Sequence, residues 1–116
     1  MAKYKTIFAF NEDDAKKRNI AIKNINNLIK DLGPENIQIE LVAYADAVTN
    51  LYLKNSEYQK QLEDLHNKGV ILAVCANTLI DKNISNEQLL PFIQIISSAV
   101  GELTRKQAEG WSYIKI

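Results

Sequence analysis

The sequence is poor in the residue types that build disulfide frameworks and metal centres. Its 116 residues include one cysteine and one histidine. One thiol excludes an internal disulfide framework and a cysteine-cluster metal site, and one imidazole excludes a centre built from several histidines. The carboxylates are scattered, without the spacing of a cation-binding loop. We therefore expect this chain to hold no metal ion.

Motifs for phosphate binding and for serine nucleophiles are also missing. The sequence has four glycines, and they form neither a G-x-G-x-x-G nor a Walker-type pattern, so nucleotide binding has no direct support. No G-x-S-x-G elbow supports a serine nucleophile. A hydrolase or oxidoreductase would lack both a motif and an acid–base pair here, and we expect no cofactor.

The chain has no excess of one charge and no long apolar run. Fourteen Lys and Arg residues balance fourteen Asp and Glu residues, so no global field attracts nucleic acid or an anionic membrane. The aromatic residues do not interleave with basic ones as on a nucleic-acid-binding surface. The first apolar run is too short for a signal-peptide core or a membrane span. These features predict a soluble cytoplasmic protein without a nucleic-acid or membrane partner.

What the sequence does contain is the alternating pattern of one α/β domain. A chain of this length buries roughly 65% of its unfolded surface, enough for a hydrophobic core. We find no internal repeat, low-complexity tract or linker, so residues 1–116 are predicted to form a single domain. Apolar, β-branched and aromatic runs predict five strands. Their ranges are 4–10, 37–44, 70–75, 92–96 and 111–116.

Helical spacing or helix-start signals occur between these strands. The ranges are 15–32, 57–68, 85–90 and 100–109, and residues 45–53 form a short helix or a structured loop. The first helix is the most regular, with Asn11 as its predicted N-cap and Gly33-Pro34 as its stop signal. Ser85 marks the start of the third helix and Pro91 its end. Strands separated by helices require crossover connections. The pattern therefore predicts a three-layer α/β/α sandwich with a five-stranded, mostly parallel sheet.

In an open parallel sheet, ligands bind beyond the carboxyl ends of the strands. The residues that follow the predicted strands are therefore the candidate binding residues. These are Asn11 after the first strand, Tyr44 and Asp46 after the second, Asn77 and Thr78 after the third, and Ser98 after the fourth. Cys75, the single thiol, lies at the same edge and is the candidate catalytic residue.

Two interpretations of Cys75 stay open on the residues alone. A cysteine at the end of an apolar strand is most often a small core residue. A nucleophilic or sulfur-carrying thiolate would need partial exposure and a lowered pKa. The following helix start and Lys82, the nearest basic residue downstream, could supply the lowered pKa. His66 is predicted at the opposite end of the third strand, away from Cys75.

Other candidates along the chain also have structural interpretations. Asp46 near the strand ends could act as a general acid or base, although a carboxylate that caps a loop is the commoner role. Ser97 and Ser98 fit helix capping better than nucleophilic catalysis. Trp111 and Tyr113 fit packing at an edge strand or a contact between subunits, because Tyr and Trp are enriched in interfaces.

Several segments together resemble the DsrE/DsrF-like family, in particular its small single-domain members. They are residues 69–79 (GVILAVCANTL), Ile84, residues 98–103 (SAVGEL), residues 107–111 (QAEGW) and the last strand. The resemblance implies a small α/β/α fold and a homo-oligomer such as a dimer, trimer or hexamer. In the sulfur-relay members a cysteine after this strand accepts sulfane sulfur as a persulfide and passes it to the next protein. By position that cysteine is Cys75.

The sequence departs from these relatives after the cysteine. Relatives often continue with a Leu-x-x-Arg-Gly-Ile pattern, where this chain has Lys82 and Asn83. Lys82 keeps the charge without the planar guanidinium, and Asn83 is the next residue after glycine that best adopts a left-handed backbone.

Two functional hypotheses follow. The first is an intracellular sulfur carrier with protein donors and acceptors of sulfur. In it, Cys75 bears the persulfide, Asn77 and Thr78 orient it, and Lys82 favours the thiolate. The second is a non-catalytic, oligomeric binding module in which the same edge holds a small ligand or a protein and Cys75 only packs.

Overall fold

The computed structural model describes residues 2–116, in which five strands alternate with four α-helices along the chain. The strands are β1 (Tyr4–Phe10), β2 (Ile37–Ala43), β3 (Ile71–Cys75), β4 (Gln94–Ile96) and β5 (Ser112–Lys115). The helices are α1 (Ala15–Leu32), α2 (Gln59–Asn67), α3 (Ala76–Asp81) and α4 (Ala99–Ala108), and short 3-10 turns span Ala45–Ala47 and Asn86–Gln88.

All pairings in the sheet are parallel, and the strand order is β4-β3-β2-β1-β5. The chain moves outward from β1 through β4 and then returns across the sheet to place β5 on the other side of β1. Because crossover connections are right-handed, this reversal places α4 on the opposite face from the helices that precede it. The predicted α/β/α sandwich with a five-stranded sheet is therefore confirmed.

The two faces of the sheet have cores of unequal size. Residues of α1 and α2, such as Ile25 and Leu62, pack against Phe8 and Leu41 in the larger core. The smaller core lies on the other face, and among the described residues α4 is the helix that contributes to it, through Ala99 and Leu103. Cys75 belongs to this smaller core. The position of α4 therefore controls what covers the sulfur.

The structure corrects three of the local predictions. The N-cap of α1 is Asp14, whose Oδ1 accepts from the Lys17 N–H at 3.0 Å, and not Asn11. The helix between β3 and β4 is α3, which begins directly after Cys75, whereas Ser85 starts only the 3-10 turn. The fourth strand begins at Gln94 rather than at residue 92.

Within residues 2–116, no helix combines the length and the apolar character needed to cross a membrane. The same part of the chain contains no group of three or more side chains suited to holding a metal ion.

Candidate functional site

The candidate site is built where β3 runs into α3 without a loop. Cys75 is the last residue of β3 and also the N-cap position of α3, with extended backbone angles (φ −72°, ψ 121°). The first N–H groups of a helix have no partner within the helix and carry its positive end. The side chain of Cys75 therefore lies next to the unpaired amides of the turn that follows it.

A second helix begins beside the same sulfur. The hydroxyl of Ser98 caps α4 by accepting from the Gly101 N–H at 3.0 Å, as predicted for a capping serine. Ala99, the first residue of α4, is buried with Cys75 in the smaller core. β4 pairs with β3 so that Ile96 lies opposite Cys75, and this register brings the start of α4 to the thiol.

The pKa of Cys75 reflects a balance between burial and these donors. Burial of the thiol raises its pKa, but the N–H groups of Thr78, Ala99 and Asn77 and the hydroxyl of Thr78 act as donors to the sulfur and lower it. The donors outweigh burial, so the pKa of Cys75 lies below its usual value of 9.0. A thiolate here is stabilised by neutral dipoles, as in other cysteines at helix N-termini.

Thr78 is held in place by a strained turn of the backbone. Its Oγ1 accepts a hydrogen bond from the Ala45 N–H at 3.0 Å. Ala45 adopts φ +52°, in the left-handed region that residues with a Cβ seldom occupy. The oxygen of the Thr78 hydroxyl accepts from Ala45, and the hydroxyl proton remains available to the sulfur of Cys75. The hydroxyl thus connects the end of β2 with the end of β3.

Asp46 and Lys82 pair with each other at the edge of the site. Lys82 Nζ donates to Asp46 Oδ1 at 2.9 Å. The ammonium group therefore has a carboxylate as its partner, and the groups that lower the pKa of Cys75 are amides and a hydroxyl. The structure joins two predicted binding residues but gives Lys82 no contact with the sulfur.

The remaining predicted residues lie around the same edge. Tyr44 is partly buried against the core that contains Cys75, and its pKa is raised by burial and by the neighbouring phenol of Tyr113. Asn11 lies farther along the edge, where its Oδ1 accepts from Lys115 Nζ at 2.7 Å. His66 stacks on Phe92 with ring centroids 5.3 Å apart, near the start of β3, so it does not form a dyad with Cys75.

Two residues at the strand ends contribute to the site although the sequence pattern assigned them no role. Ala99 acts through its backbone N–H, and Ala45 acts through an N–H held in a rare conformation. Alanine side chains carry no chemical signal for such roles. The capping pattern at Ser98 predicted where α4 begins, but it did not predict that this end of the helix lies against Cys75.

The thiol is well covered despite its position at the edge. Cys75 is 6% exposed. Next to it, a groove of about 560 Å³ runs between α3 and the edge strand β4 and is lined in part by Ala76, Ile80 and Ile95. A reactant therefore has little direct access to the sulfur in this conformation.

Comparison with known proteins gives one family and several structures. The model of the DsrE/DsrF-like family matches residues 4–116. MTH1491 from Methanobacterium thermoautotrophicum, a protein of unknown function, is 37% identical with a TM-score of 0.92, over 97% of this chain and 99% of its own. The ychN protein from E. coli is 20% identical with a TM-score of 0.79, and the match covers 100% of both chains.

A third solved structure extends the likeness in fold. BT1422 from Bacteroides thetaiotaomicron, described as a conserved protein of unknown function, has a TM-score of 0.70 at 14% identity, over 97% of this chain and 94% of its own. At this identity, as for the ychN protein, the likeness shows the fold alone. No curated protein matches the sequence.

Proposed function

Because the chain belongs to the DsrE/DsrF-like family, we propose that it handles sulfur, with Cys75 as a persulfide carrier. The observation that carries this proposal is the environment of the thiol. Cys75 lies where α3 and α4 both begin, and their N–H groups lower its pKa against the effect of burial. A lowered pKa increases the fraction of thiolate, which is the form that attacks a sulfur donor. A purely space-filling cysteine has no need of these donors.

The transfer consists of two balanced displacements. The Cys75 thiolate attacks the outer sulfur of a donor persulfide, a new S–S bond forms at Cys75, and the donor's inner sulfur leaves as a thiolate with the bonding electron pair. An acceptor thiolate then attacks the outer sulfur and releases Cys75 as a thiolate. No external oxidant or reductant is consumed, because each S–S bond that breaks is replaced by another.

The composition of the chain suits a carrier. Cys75 is the single cysteine in the sequence, so no second thiol in the same chain can convert the persulfide into an internal disulfide. The sulfur must leave to another molecule. Asn77 and Thr78 present their N–H groups to the sulfur, and these donors also stabilise the anion that is released when the persulfide is passed on.

Sulfur loading tests the function directly. The protein is incubated with a cysteine desulfurase and cysteine, and its intact mass is then measured. We expect a gain of one sulfur atom, lost on addition of a reductant and mapped to the peptide that contains Cys75. No gain, together with slow alkylation of the native thiol at neutral pH, would contradict the carrier function.

A binding module without sulfur chemistry is the second candidate, and the coverage of the thiol favours it. Cys75 is 6% exposed and packs among Val42, Ala73 and Ile96 as a small apolar side chain would. Alkylation of the folded protein separates the two candidates. In a carrier, the thiol of Cys75 is alkylated in the folded protein at a rate set by its lowered pKa. In a binding module, a Cys75 that only packs is alkylated only when the protein unfolds.

We also propose that the protein assembles as a homo-oligomer, a dimer, trimer or hexamer. Large apolar side chains are exposed near the site: Ile80 is 76% exposed, Ile95 41% and Val100 69%. Ile95 lies on β4, an edge of the sheet, and exposed apolar groups beside an edge strand favour association. We expect light scattering on a size-exclusion column to give a molar mass that is a multiple of 13.1 kDa. The Ile80→Glu variant is expected to have a lower molar mass. A 13.1 kDa species at every concentration would refute the assembly.

A further inference from the structure

A buried carboxyl group lies under α4 on the side of the sheet that also holds Cys75. Glu40 is in the middle of β2 and is 0% exposed. The sheet register places Ile7 of β1 and Ile71 of β3 on either side of it. Neither neighbouring strand offers a polar partner at this level, so the interactions of Glu40 depend on the helix above it.

Two charged groups on α4, Lys106 and Glu102, lie beside Glu40, and a third, Arg105, pairs with Glu102. Lys106 Nζ is 3.6 Å from Glu40 Oε1 and also 4.5 Å from the centre of the Trp111 ring. Glu102 adjoins the carboxyl of Glu40 and is itself 3.3 Å from Arg105. Glu40 also acts on the buried phenol of Tyr52, which donates to the Leu41 carbonyl at 2.7 Å.

Among the described residues, the carboxyl group of Glu40 has no close hydrogen-bond donor, because Lys106 Nζ is 3.6 Å away and Glu102 has no proton to donate when both acids are charged. In the part of the chain that the structure describes, neither Oε1 nor Oε2 accepts a hydrogen bond, and both are inaccessible to solvent. A buried carboxylate without hydrogen bonds is unstable, so the group tends to hold a proton instead. Burial, together with the carboxylate of Glu102, raises the pKa of Glu40 from 4.5 to about 8. Glu102 remains the charged member, because its contacts with Glu40 and Arg105 lower its pKa.

We propose that Glu40 and Glu102 form a proton-dependent clamp on α4. With one proton between the two carboxyl groups, the first turns of α4 are held on the sheet. As that proton is lost with rising pH, α4 opens more readily and uncovers Cys75. The clamp does not depend on sulfur transfer, since it concerns only the docking of the helix.

The clamp and the thiol are connected through one turn of helix. Ala99 and Glu102 are three residues apart and lie on the same buried side of α4. Ala99 contributes its N–H to the sulfur of Cys75. Movement of this turn away from the sheet would therefore remove a cover and a hydrogen-bond donor from the thiol at the same time.

The direction of the pH dependence follows from proton linkage. Glu40 titrates at about 8 when α4 is docked and near its ordinary value once α4 opens. Between these values the docked state holds a proton that the open state has released, so opening becomes more favourable as pH rises, by up to about tenfold per pH unit for one proton. The effect levels off above about pH 8.

Hydrogen exchange between pH 6 and 8 tests the clamp, with Cys75→Ser in every protein so that the thiol itself does not titrate. After correction for intrinsic exchange, we expect protection of α4 amides to fall up to about tenfold per pH unit. Amides of α1 are the internal reference. In Glu40→Gln, which has no proton to lose, protection of α4 is expected to stay constant.

A second variant keeps the test decisive if Glu40→Gln does not fold. Glu102→Gln removes the neighbouring charge that holds the proton on Glu40, so the pH at which protection levels off is expected to move down. With the native thiol present, a bulky maleimide at pH 8 is expected to label Cys75 faster in the wild type than in Glu40→Gln. The proposal would be overturned if protection of α4 amides had the same pH dependence in the parent and in Glu40→Gln. It would also be overturned if that pH dependence were not shifted in Glu102→Gln.

Discussion

Replacing Cys75 by serine is expected to abolish sulfur loading. The reaction requires a sulfur nucleophile, and Cys75 is the single cysteine in the chain, so no other side chain can form the persulfide. A serine hydroxyl is similar in shape and is not ionised at neutral pH. The measurement is the intact mass after incubation with a cysteine desulfurase and cysteine. We expect one added sulfur atom in the wild type and none in Cys75→Ser.

The serine variant is expected to keep its fold, which makes the loss interpretable. The N–H groups that face the sulfur can donate to a hydroxyl in the same place, so no buried polar group is left without a partner. Thermal unfolding followed by circular dichroism checks this, and Cys75→Ala serves as a second variant. A sulfur atom that is still acquired by Cys75→Ser and removed by reductant would contradict the assignment of Cys75.

The second large effect is expected from Thr78→Val, which removes the hydroxyl but keeps the size and shape of the side chain. A hydrogen bond to a charged group contributes about 1.5–3 kcal/mol, and about 1.4 kcal/mol corresponds to one pKa unit. The pKa of Cys75 should therefore rise by about one unit, and the rate of alkylation near neutral pH should fall about tenfold. The measurement is the alkylation rate as a function of pH.

Two controls show which group stabilises the thiolate. Thr78→Ser keeps the hydroxyl and should retain a profile close to that of the wild type. Lys82→Met removes the basic side chain that follows Cys75 most closely in the sequence, and we expect it to shift the pKa of Cys75 little, because Lys82 is paired with Asp46 at 2.9 Å. A large shift in Lys82→Met would mean that the ammonium group stabilises the thiolate, and no shift in Thr78→Val would contradict a role for the hydroxyl.

Thr78→Val also affects the backbone. The Ala45 N–H donates to Thr78 Oγ1, and in the valine variant this donor loses its partner beside a residue already at φ +52°. A fully buried donor that loses its acceptor costs about 1–3 kcal/mol, and the cost is smaller here because this hydrogen bond is only partly buried. Some loss of stability is therefore expected in Thr78→Val and little in Thr78→Ser, which makes the serine variant the matched control for both properties.

Most of the fold follows from local signals in the sequence. The apolar run of β3, the regular apolar spacing of α1 and its end at Gly33 predict these elements to within a residue or two. The alternation of strands and helices then requires crossovers, and parallel pairing follows from them. These features depend on neighbours along the chain, so the sequence contains them directly.

The errors arose where local signals compete. Asn11 and Asp14 are both suitable N-cap residue types, but α1 begins at Ala15, so the residue directly before it, Asp14, is the N-cap. The signal at Ser85 is real, since its N–H donates to Gln88 Oε1 at 2.8 Å, but it supports only a short turn. α3 was missed because it begins at Ala76 without a loop or a polar cap.

The sequence by itself determined the five strands, their order along the chain and the place of Cys75 at the end of β3. Only the tertiary structure decided the chemical character of the thiol. The donors that lower the pKa of Cys75 include the Ala99 N–H, which reaches the sulfur because β4 pairs beside β3. Glu40 is likewise an ordinary strand residue in the sequence and becomes a buried acid only when α4 covers it. Hydrogen bonds and charges act over a few ångströms, and that proximity is created by folding.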